Sequence, residues 1–229
     1  MRLIRFFLGI LLVPFCIAAT LSLVSLISVM QKTGDWSVSA PVIALGGGLG
    51  AWLLVYFVLP SPVRSYVLAH ELTHALWGAI MGASVSKIKV GEQSGSVTLS
   101  KTNWFITLAP YFFPLYTVLV VLGYYGLSLF YNVEKYHLVW LGLVGFTWGF
   151  HLVFTINTLM QRQSDIQVCG YLFSYTIIYL FNILGICFWV LVVSTVTLDD
   201  LLACLQADFG KVVVTMINWV YAFFRKMGQ

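Results

Sequence analysis

The sequence predicts an all-α integral membrane protein with about six transmembrane helices, a small β-hairpin and a C-terminal amphipathic helix. Two observations support this fold class. Of the 229 residues, 60% are hydrophobic and only 9% are charged, whereas a soluble domain typically carries about 25% charged residues. The apolar residues also form long runs separated by polar breaks, and about 20 such residues are needed to cross about 30 Å of hydrocarbon.

Six apolar runs are predicted to cross the membrane. They occupy residues 4–30, 41–59, 62–82, 106–130, 137–160 and 171–195. The first run follows Arg2 and Arg5 as a signal peptide would, but it continues to Met30. This is longer than an ordinary signal-peptide core, so we expect a retained span. In the second run, residues 46–51 (GGGLGA) are small and predict close packing between helices.

Two segments are not simple spans. Residues 85–100 contain two short β-prone stretches around Gly91 and Gly95, which predict a hairpin. An amphipathic loop at the membrane surface is the alternative for this segment. Residues 198–227 begin polar and end in an apolar run that is too short to span comfortably, which predicts an interfacial amphipathic helix.

The remaining composition limits the organisation and the possible partners. The net charge of +4 is scattered, without the basic cluster that a nucleic-acid partner would require. The four cysteines have no metal-binding spacing, so we assign them no role. Because no repeat or linker interrupts the chain, we predict a single membrane domain over residues 1–229. It would comprise two extra N-terminal spans (1–60), a core (62–195) and the interfacial helix (198–229).

The third predicted span contains a His-Glu-x-x-His motif. His70 and His74 are four residues apart, so their imidazoles share one helix face and can bind one cation. Glu71 follows the first histidine, where its carboxylate can take a proton from a zinc-activated water. With the helix starting near Pro62, the motif begins about 12 Å along it, near mid-membrane. Of the eight acidic residues, Glu71 is the only one deep inside a predicted span, and such a costly position indicates function.

A catalytic zinc site usually has three protein ligands and an open position for water. The candidates for the third ligand are His137, His151, Asp165 and Glu134. If the chain crosses the membrane as predicted, Asp165 emerges on the side nearest His74, whereas His137 and Glu134 emerge on the other side. His151 is mid-span, so its depth is compatible with ligation, although a lone histidine in an apolar helix is more often a packed, hydrogen-bonded residue.

These residues resemble the site-2 protease family of intramembrane zinc metalloproteases, the M50 class, including its compact M50B-like members. The family pairs HExxH in one span with a second motif, NxxPxxxxDG, and NTLMQRQSDI places Asn157 and Asp165 at the same spacing. Met160 stands where the family has proline, and Ile166 where it has glycine. The resemblance extends over about residues 62–175 and includes the hairpin and the segment LAPYFFPLY.

The resemblance implies a function and a set of site residues. His70, His74 and Asp165 would bind Zn²⁺, Glu71 would activate the water, and Asn157 would position the substrate or stabilise the oxyanion. A β-element near the site would hold the substrate as an added strand. The implied substrates are transmembrane or membrane-adjacent peptides. The apolar runs predict a multi-pass membrane protein, and we expect it in the cell inner or plasma membrane.

Two other functions remain open. A protease-like scaffold or accessory subunit of a membrane complex is favoured by the missing proline and glycine, but the intact HELTH motif opposes it. A metal transporter would need more membrane-embedded ligands than the sequence shows. Lysine and arginine are almost evenly divided between the two sides, so the positive-inside rule does not fix the orientation. The resemblance implies that the third span ends on the cytoplasmic side.

Overall fold

The computed structural model describes residues 2–32 and 39–227, and the last two residues of the predicted C-terminal helix lie outside this range. The chain forms two compact units, one from residues 38–169 and one from residues 1–37 with 170–229. The single membrane domain over residues 1–229 stays a prediction. The described residues are mainly helical, with one small antiparallel sheet, as the sequence predicts.

The unit formed by residues 38–169 contains the predicted site. Its elements follow in the order α2 (Ala40–Val58), α3 (Val63–Ile80), β1 (Val85–Val90), β2 (Gly95–Leu99), α4 (Trp104–Leu108), a 3₁₀ turn (Ala109–Tyr111), α5 (Leu115–Ser128), a second 3₁₀ turn (Glu134–Tyr136), α6 (His137–Leu159) and α7 (Ser164–Cys169). The apolar runs predicted over 41–59, 62–82 and 137–160 therefore correspond to α2, α3 and α6.

Glycines allow α2 and α6 to pack in direct backbone contact. A Cβ at Gly48 would collide with the carbonyl of Gly142, and a Cβ at Gly145 would collide with the carbonyl of Leu45. Gly46, by contrast, has no described atom near its Cβ position. The GGGLGA segment thus packs helices closely, as small residues do in membranes, but it uses only one of its glycines for this contact.

An aromatic cluster ties α3 to the α2–α6 pair. Trp52, Tyr66, Phe150 and Phe154 are all buried together. The ring of Tyr66 stacks on that of Phe154, with centroids 4.9 Å apart and an interplanar angle of 11°. Because aromatic side chains bury large areas, this cluster fixes the position of α3 one turn before His70.

The predicted hairpin is confirmed. Strands β1 and β2 are antiparallel, with Val90 opposite Gly95 and Ile88 opposite Val97, and a bulge interrupts the register between Val85 and Lys87. Leu99 lies against α3 at Gly78, where a Cβ would approach the Leu99 side chain to 2.9 Å. One face of the sheet therefore packs along the helix that carries the motif.

The run predicted to span over residues 106–130 is broken in the structure. Helices Trp104–Tyr111 and Leu115–Ser128 meet at an angle of 80°. Pro110 and Pro114 flank the bend, and proline disrupts helical hydrogen bonding. Helix α5 alone has 14 residues, about 21 Å at 1.5 Å per residue, which is shorter than the hydrocarbon core.

The other unit consists of α1 (Arg2–Lys32), α8 (Tyr171–Val193) and α9 (Leu198–Met227). Its core includes Leu26, Cys187 and Leu201. The buried carboxylate of Asp208 accepts a hydrogen bond of 2.8 Å from Ser25, which joins the first half of α9 to α1, and one of 2.7 Å from the Lys211 ammonium on α9 itself. All described residues from position 214 onward are exposed, and the interfacial location of α9 stays a prediction.

Four helices in the described part of the chain are long and apolar enough to cross a membrane, and the bent pair would make a fifth. The four are Arg2–Met30, Ala40–Val58, Glu134–Leu159 and Tyr171–Val193. These helices indicate a membrane protein. Helix α3 is not among them, because one arginine, one glutamate and two histidines lower its mean hydropathy.

Candidate metal centre

Helix α3 presents the His-Glu-x-x-His motif to a cleft in the unit formed by residues 38–169. The helix starts after Pro62 and ends before Gly82, whose φ of +75° is a conformation that glycine adopts readily at helix ends. The imidazoles of His70 and His74 lie on one face, with ring centroids 4.8 Å apart. The i, i+4 spacing thus produces the paired geometry that the sequence predicts.

Asp165 completes a group of three potential metal ligands. Its Oδ2 lies 3.4 Å from Nε2 of His70 and 3.5 Å from Nε2 of His74. The two Nε2 atoms are 3.2 Å apart. Among the residues that the structure describes, these three form the cluster that could hold a metal ion.

The donor set fits a zinc ion. For Zn–N and Zn–O bonds of about 2.0–2.1 Å, neighbouring ligands of a tetrahedral site lie about 3.3 Å apart. The three observed separations differ from this value by at most about 0.2 Å. Two imidazole nitrogens and one carboxylate oxygen are also ligand types that zinc accepts in catalytic sites. The geometry is therefore compatible with three-ligand binding, and ligation itself stays a prediction.

Asp165 reaches the cleft from the short helix α7. Helix α6 ends at Leu159 without the proline of the family motif, and Met160 is 82% exposed there. Asp165 then occupies the first turn of α7, where a negative charge is favoured by the helix dipole. Ile166, at the position where the site-2 protease motif has glycine, is 2% exposed. A buried side chain thus holds the turn where the family has a flexible residue.

Neighbouring groups fix the orientation of the proposed ligands. The carbonyl of Ile106 lies 2.8 Å from Nδ1 of His74, and an N–H donated there leaves Nε2 with its lone pair toward the cluster. The Tyr111 hydroxyl donates a hydrogen bond of 3.1 Å to Oδ2 of Asp165. The Tyr66 hydroxyl lies 3.4 Å from Nδ1 of His70. Such outer hydrogen bonds are typical of metal sites.

The charge state of Asp165 suits a cation. Burial raises the pKa of this carboxyl, but the adjacent His70 and His74 side chains outweigh burial and leave the pKa below its ordinary value. The carboxyl group is therefore ionised at neutral pH. An ionised carboxylate next to two imidazoles supplies the negative charge that a divalent ion needs.

Glu71 lies in the same cleft as the three potential ligands. The cleft has a volume of about 940 Å³ and is bordered by α3, by β2, by the end of α6 and by α7. Glu71 is 7% exposed and lies against Gly95 of β2. A carboxylate in this cleft is near enough to the potential ligands to act on a water molecule bound to a metal ion held by them.

Asn157 also lines the cleft. Its Nδ2 donates a hydrogen bond of 2.8 Å to the hydroxyl of Tyr56. Because an amide nitrogen carries two hydrogens, one of them is used by Tyr56 and the other can serve a ligand in the cleft. The predicted role of Asn157 in substrate positioning stays a prediction.

The other ligand candidates lie apart from the cluster. His151 is buried in α6 and lines a small cavity of about 10 Å³ that also touches His70 and Thr73. His137 begins α6, about 30 Å along the helix from Asn157, and packs on Trp140. Glu134 is exposed before α6.

The sequence prediction missed several groups around the site. Tyr66, Tyr111 and the Ile106 carbonyl surround the proposed ligands, and Gly95 contacts Glu71. Tyr66 stands four residues before His70, a helical spacing that could have indicated the contact. The contacts of Tyr111 and Ile106 depend on the bend after α4, for which the sequence offers only the two prolines.

Comparison of the chain with protein-family models, with curated proteins and with solved structures gives no match. The resemblance to site-2 proteases thus depends on the two motifs and on the geometry that they adopt.

Proposed function

We propose that this chain is an intramembrane zinc metalloprotease of the site-2 protease type, which hydrolyses transmembrane or membrane-adjacent peptides in a multi-pass membrane location. The observation that carries the proposal is the triangle of donor atoms from His70, His74 and Asp165, with sides of 3.2, 3.4 and 3.5 Å. It faces a cleft that also contains Glu71. A zinc ion bound there would lower the pKa of a water molecule and polarise the peptide carbonyl.

Each side chain at the site is assigned a separate role in the hydrolysis. Glu71 accepts a proton from the attacking water while the water oxygen bonds to the carbonyl carbon. Glu71 then returns a proton to the amine when the C–N bond breaks. The second Nδ2 hydrogen of Asn157 is the donor that we assign to the developing oxyanion. Tyr111 and the Ile106 carbonyl hold Asp165 and His74 in place.

We further propose that α3 crosses the membrane although it is less apolar than the other spans. This crossing, together with the bent α4–α5 pair, gives the six spans that the sequence predicts. The ionisable residues of α3 that face the cleft are buried or half-buried in the protein, which is how membrane proteins retain costly polar groups. The cleft lets water reach the site.

Substrate binding is proposed to occur along β2. Residues Ser94–Val97 of the hairpin line the cleft, and none of the described residues of β1 does. The Gly91 N–H donates to the Ser94 carbonyl. Because hydrogen-bonded and non-hydrogen-bonded pairs alternate in an antiparallel ladder, the N–H and C=O groups of Gly95 and Val97 face the outer edge of β2.

An open strand edge at the site meets a physical requirement of proteolysis in a membrane. A helical substrate hides its amides in its own hydrogen bonds, so one stretch must unwind before cleavage. In a low-dielectric environment the released backbone groups need new partners. The outer edge of β2 can provide them by strand addition, directly beside Glu71.

Proline at Val97 is expected to reduce peptide cleavage strongly while leaving zinc content unchanged. The substitution removes an N–H from the cleft-facing edge but no hydrogen bond within the β1–β2 ladder. The matched control is Ile88→Pro, because Ile88 pairs with Val97 and its N–H faces the opposite edge of the hairpin. The measurement is cleavage of synthetic transmembrane peptides by the protein reconstituted in liposomes.

Comparison of the two proline variants tests strand addition at β2. Loss of cleavage in Val97→Pro with retained cleavage in Ile88→Pro supports strand addition at β2. Equal activity of both variants would contradict it, as would equal loss in both. If the wild-type protein cleaves none of the peptides, the protease proposal itself is weakened in favour of a non-proteolytic scaffold or accessory subunit of a membrane complex.

A further inference from the structure

We propose that Gly95 is a positioning residue for Glu71, an inference that rests on the proposed protease function. A Cβ built at Gly95 would lie 2.6 Å from Cγ and 2.9 Å from Oε1 of Glu71, and 2.8 Å from Cγ1 of Val67. Contacts of this length leave no room for a methyl group. The Glu71 side chain therefore occupies the space that a side chain at residue 95 would need.

Sterics rather than backbone conformation explain the glycine. Among the described glycines, those with a positive φ are Gly82 and Gly170. Alanine can therefore adopt the backbone angles of Gly95, and the contact with Glu71 is what opposes it. The other tight glycines of this region differ: Gly91 meets the carbonyl of its own turn, and Gly78 meets the Leu99 side chain.

An added methyl group would displace the Glu71 side chain, and the Val67 methyl group at 2.8 Å would have to shift as well. Strand β2 is held by its pairing with β1 and by the packing of Leu99 on α3. Glu71 is a longer side chain whose carboxylate borders the open cleft, so rotation about its side-chain bonds relieves the contact at lower cost. The carboxylate would then leave its place beside the outer edge of β2.

The position of Gly95 also determines which part of a bound peptide lies next to Glu71. Glu71 touches β2 at Gly95, and Gly95 is one of the two residues whose backbone groups face the substrate edge. A peptide added to this edge therefore passes the general base opposite Gly95. We infer that the scissile bond lies at this level of the strand.

Gly95→Ala is expected to lower kcat about 10²-fold, because a displacement of about 1 Å of a reacting group has this effect. Zinc content should stay at the wild-type level, since the three atoms nearest to the added methyl group belong to Glu71 and Val67 rather than to a proposed ligand. The affinity of the metal-depleted protein for the same peptide, measured by fluorescence titration, should change much less than kcat. A loss of strand geometry would instead weaken this affinity.

The matched control is Gly78→Ala, which adds the same methyl group to the same α3–hairpin contact. There it meets the terminal methyl groups of the flexible Leu99 side chain instead of Glu71, and these can shift without moving β2. This variant should retain the wild-type kcat. The proposal is overturned if Gly95→Ala has wild-type kcat, or if both variants lose kcat equally. Absence of cleavage by the wild-type protein would instead argue against the proposed function.

If Gly95→Ala does not fold or bind zinc, the double variant Gly95→Ala/Val67→Ala tests the positioning role instead. Removal of the Val67 methyl groups relieves one of the contacts and leaves the contact with Glu71. A kcat below that of Val67→Ala alone supports the positioning role. A kcat equal to that of Val67→Ala overturns it.

Discussion

Glu71→Gln is expected to lower peptide cleavage by about 10²- to 10⁴-fold while the protein keeps its zinc and its fold. Glutamine has almost the same shape as glutamate but cannot accept a proton from the attacking water. General-base catalysis contributes about 10²- to 10⁴-fold to a rate, so the turnover of the variant should be lower than that of wild type by a factor in this range. Glu71 lies in the cleft with the three potential zinc ligands and makes contact with β2.

The measurement compares initial rates of cleavage of a reconstituted transmembrane peptide by wild type and variant, with zinc content determined on the same samples. The matched control is Glu92→Gln. Glu92 is an exposed carboxylate near the hairpin tip, and its substitution by glutamine removes the same charge. Unchanged turnover in Glu71→Gln would remove Glu71 from the mechanism. Equal losses in both variants would assign the effect to charge rather than to proton transfer.

Asp165→Ala is expected to weaken zinc binding by more than about 100-fold. Loss of an outer hydrogen-bond partner already costs about 10- to 100-fold in metal affinity, and Asp165 is proposed to bind the ion directly. Its Oδ2 lies 3.4 and 3.5 Å from the two imidazole nitrogens. The measurement is a competition titration of zinc against a chelator of known affinity.

His151→Ala and Glu134→Ala are the controls for this titration. His151 lines the small cavity behind His70, and Glu134 is exposed before α6, so both variants should bind zinc nearly as tightly as wild type. Wild-type affinity in Asp165→Ala would contradict the assignment. If His151→Ala then lost zinc, the third ligand would be His151.

Local patterns in the sequence were sufficient for the parts of the fold that depend on neighbouring residues. The paired imidazoles follow from the i, i+4 spacing, and the hairpin follows from β-prone stretches on either side of Gly91. The approach of Asp165 to the pair was expected from its spacing to Asn157 and from the order of the spans. Whether these residues bind zinc stays a prediction.

Features that depend on distant contacts were not accessible in this way. The 80° break in the run over 106–130 places Tyr111 and the Ile106 carbonyl at the site, and hydropathy alone treats the run as continuous. The contact between Gly95 and Glu71 joins two elements whose packing no local pattern specifies. The lower hydropathy of α3 results from the motif itself, so the residues that suggest a function also weaken its signal as a span.

Zinc content of the purified protein, measured by mass spectrometry after exchange into metal-free buffer, tests the central claim most directly. The account predicts about one zinc ion per chain in wild type and almost none in His70→Ala or His74→Ala, because loss of either imidazole leaves two of the three protein ligands. A wild-type protein that binds no zinc from a zinc-containing buffer would contradict the account. Full zinc content in both histidine variants would contradict it equally, since the ion would then be bound elsewhere.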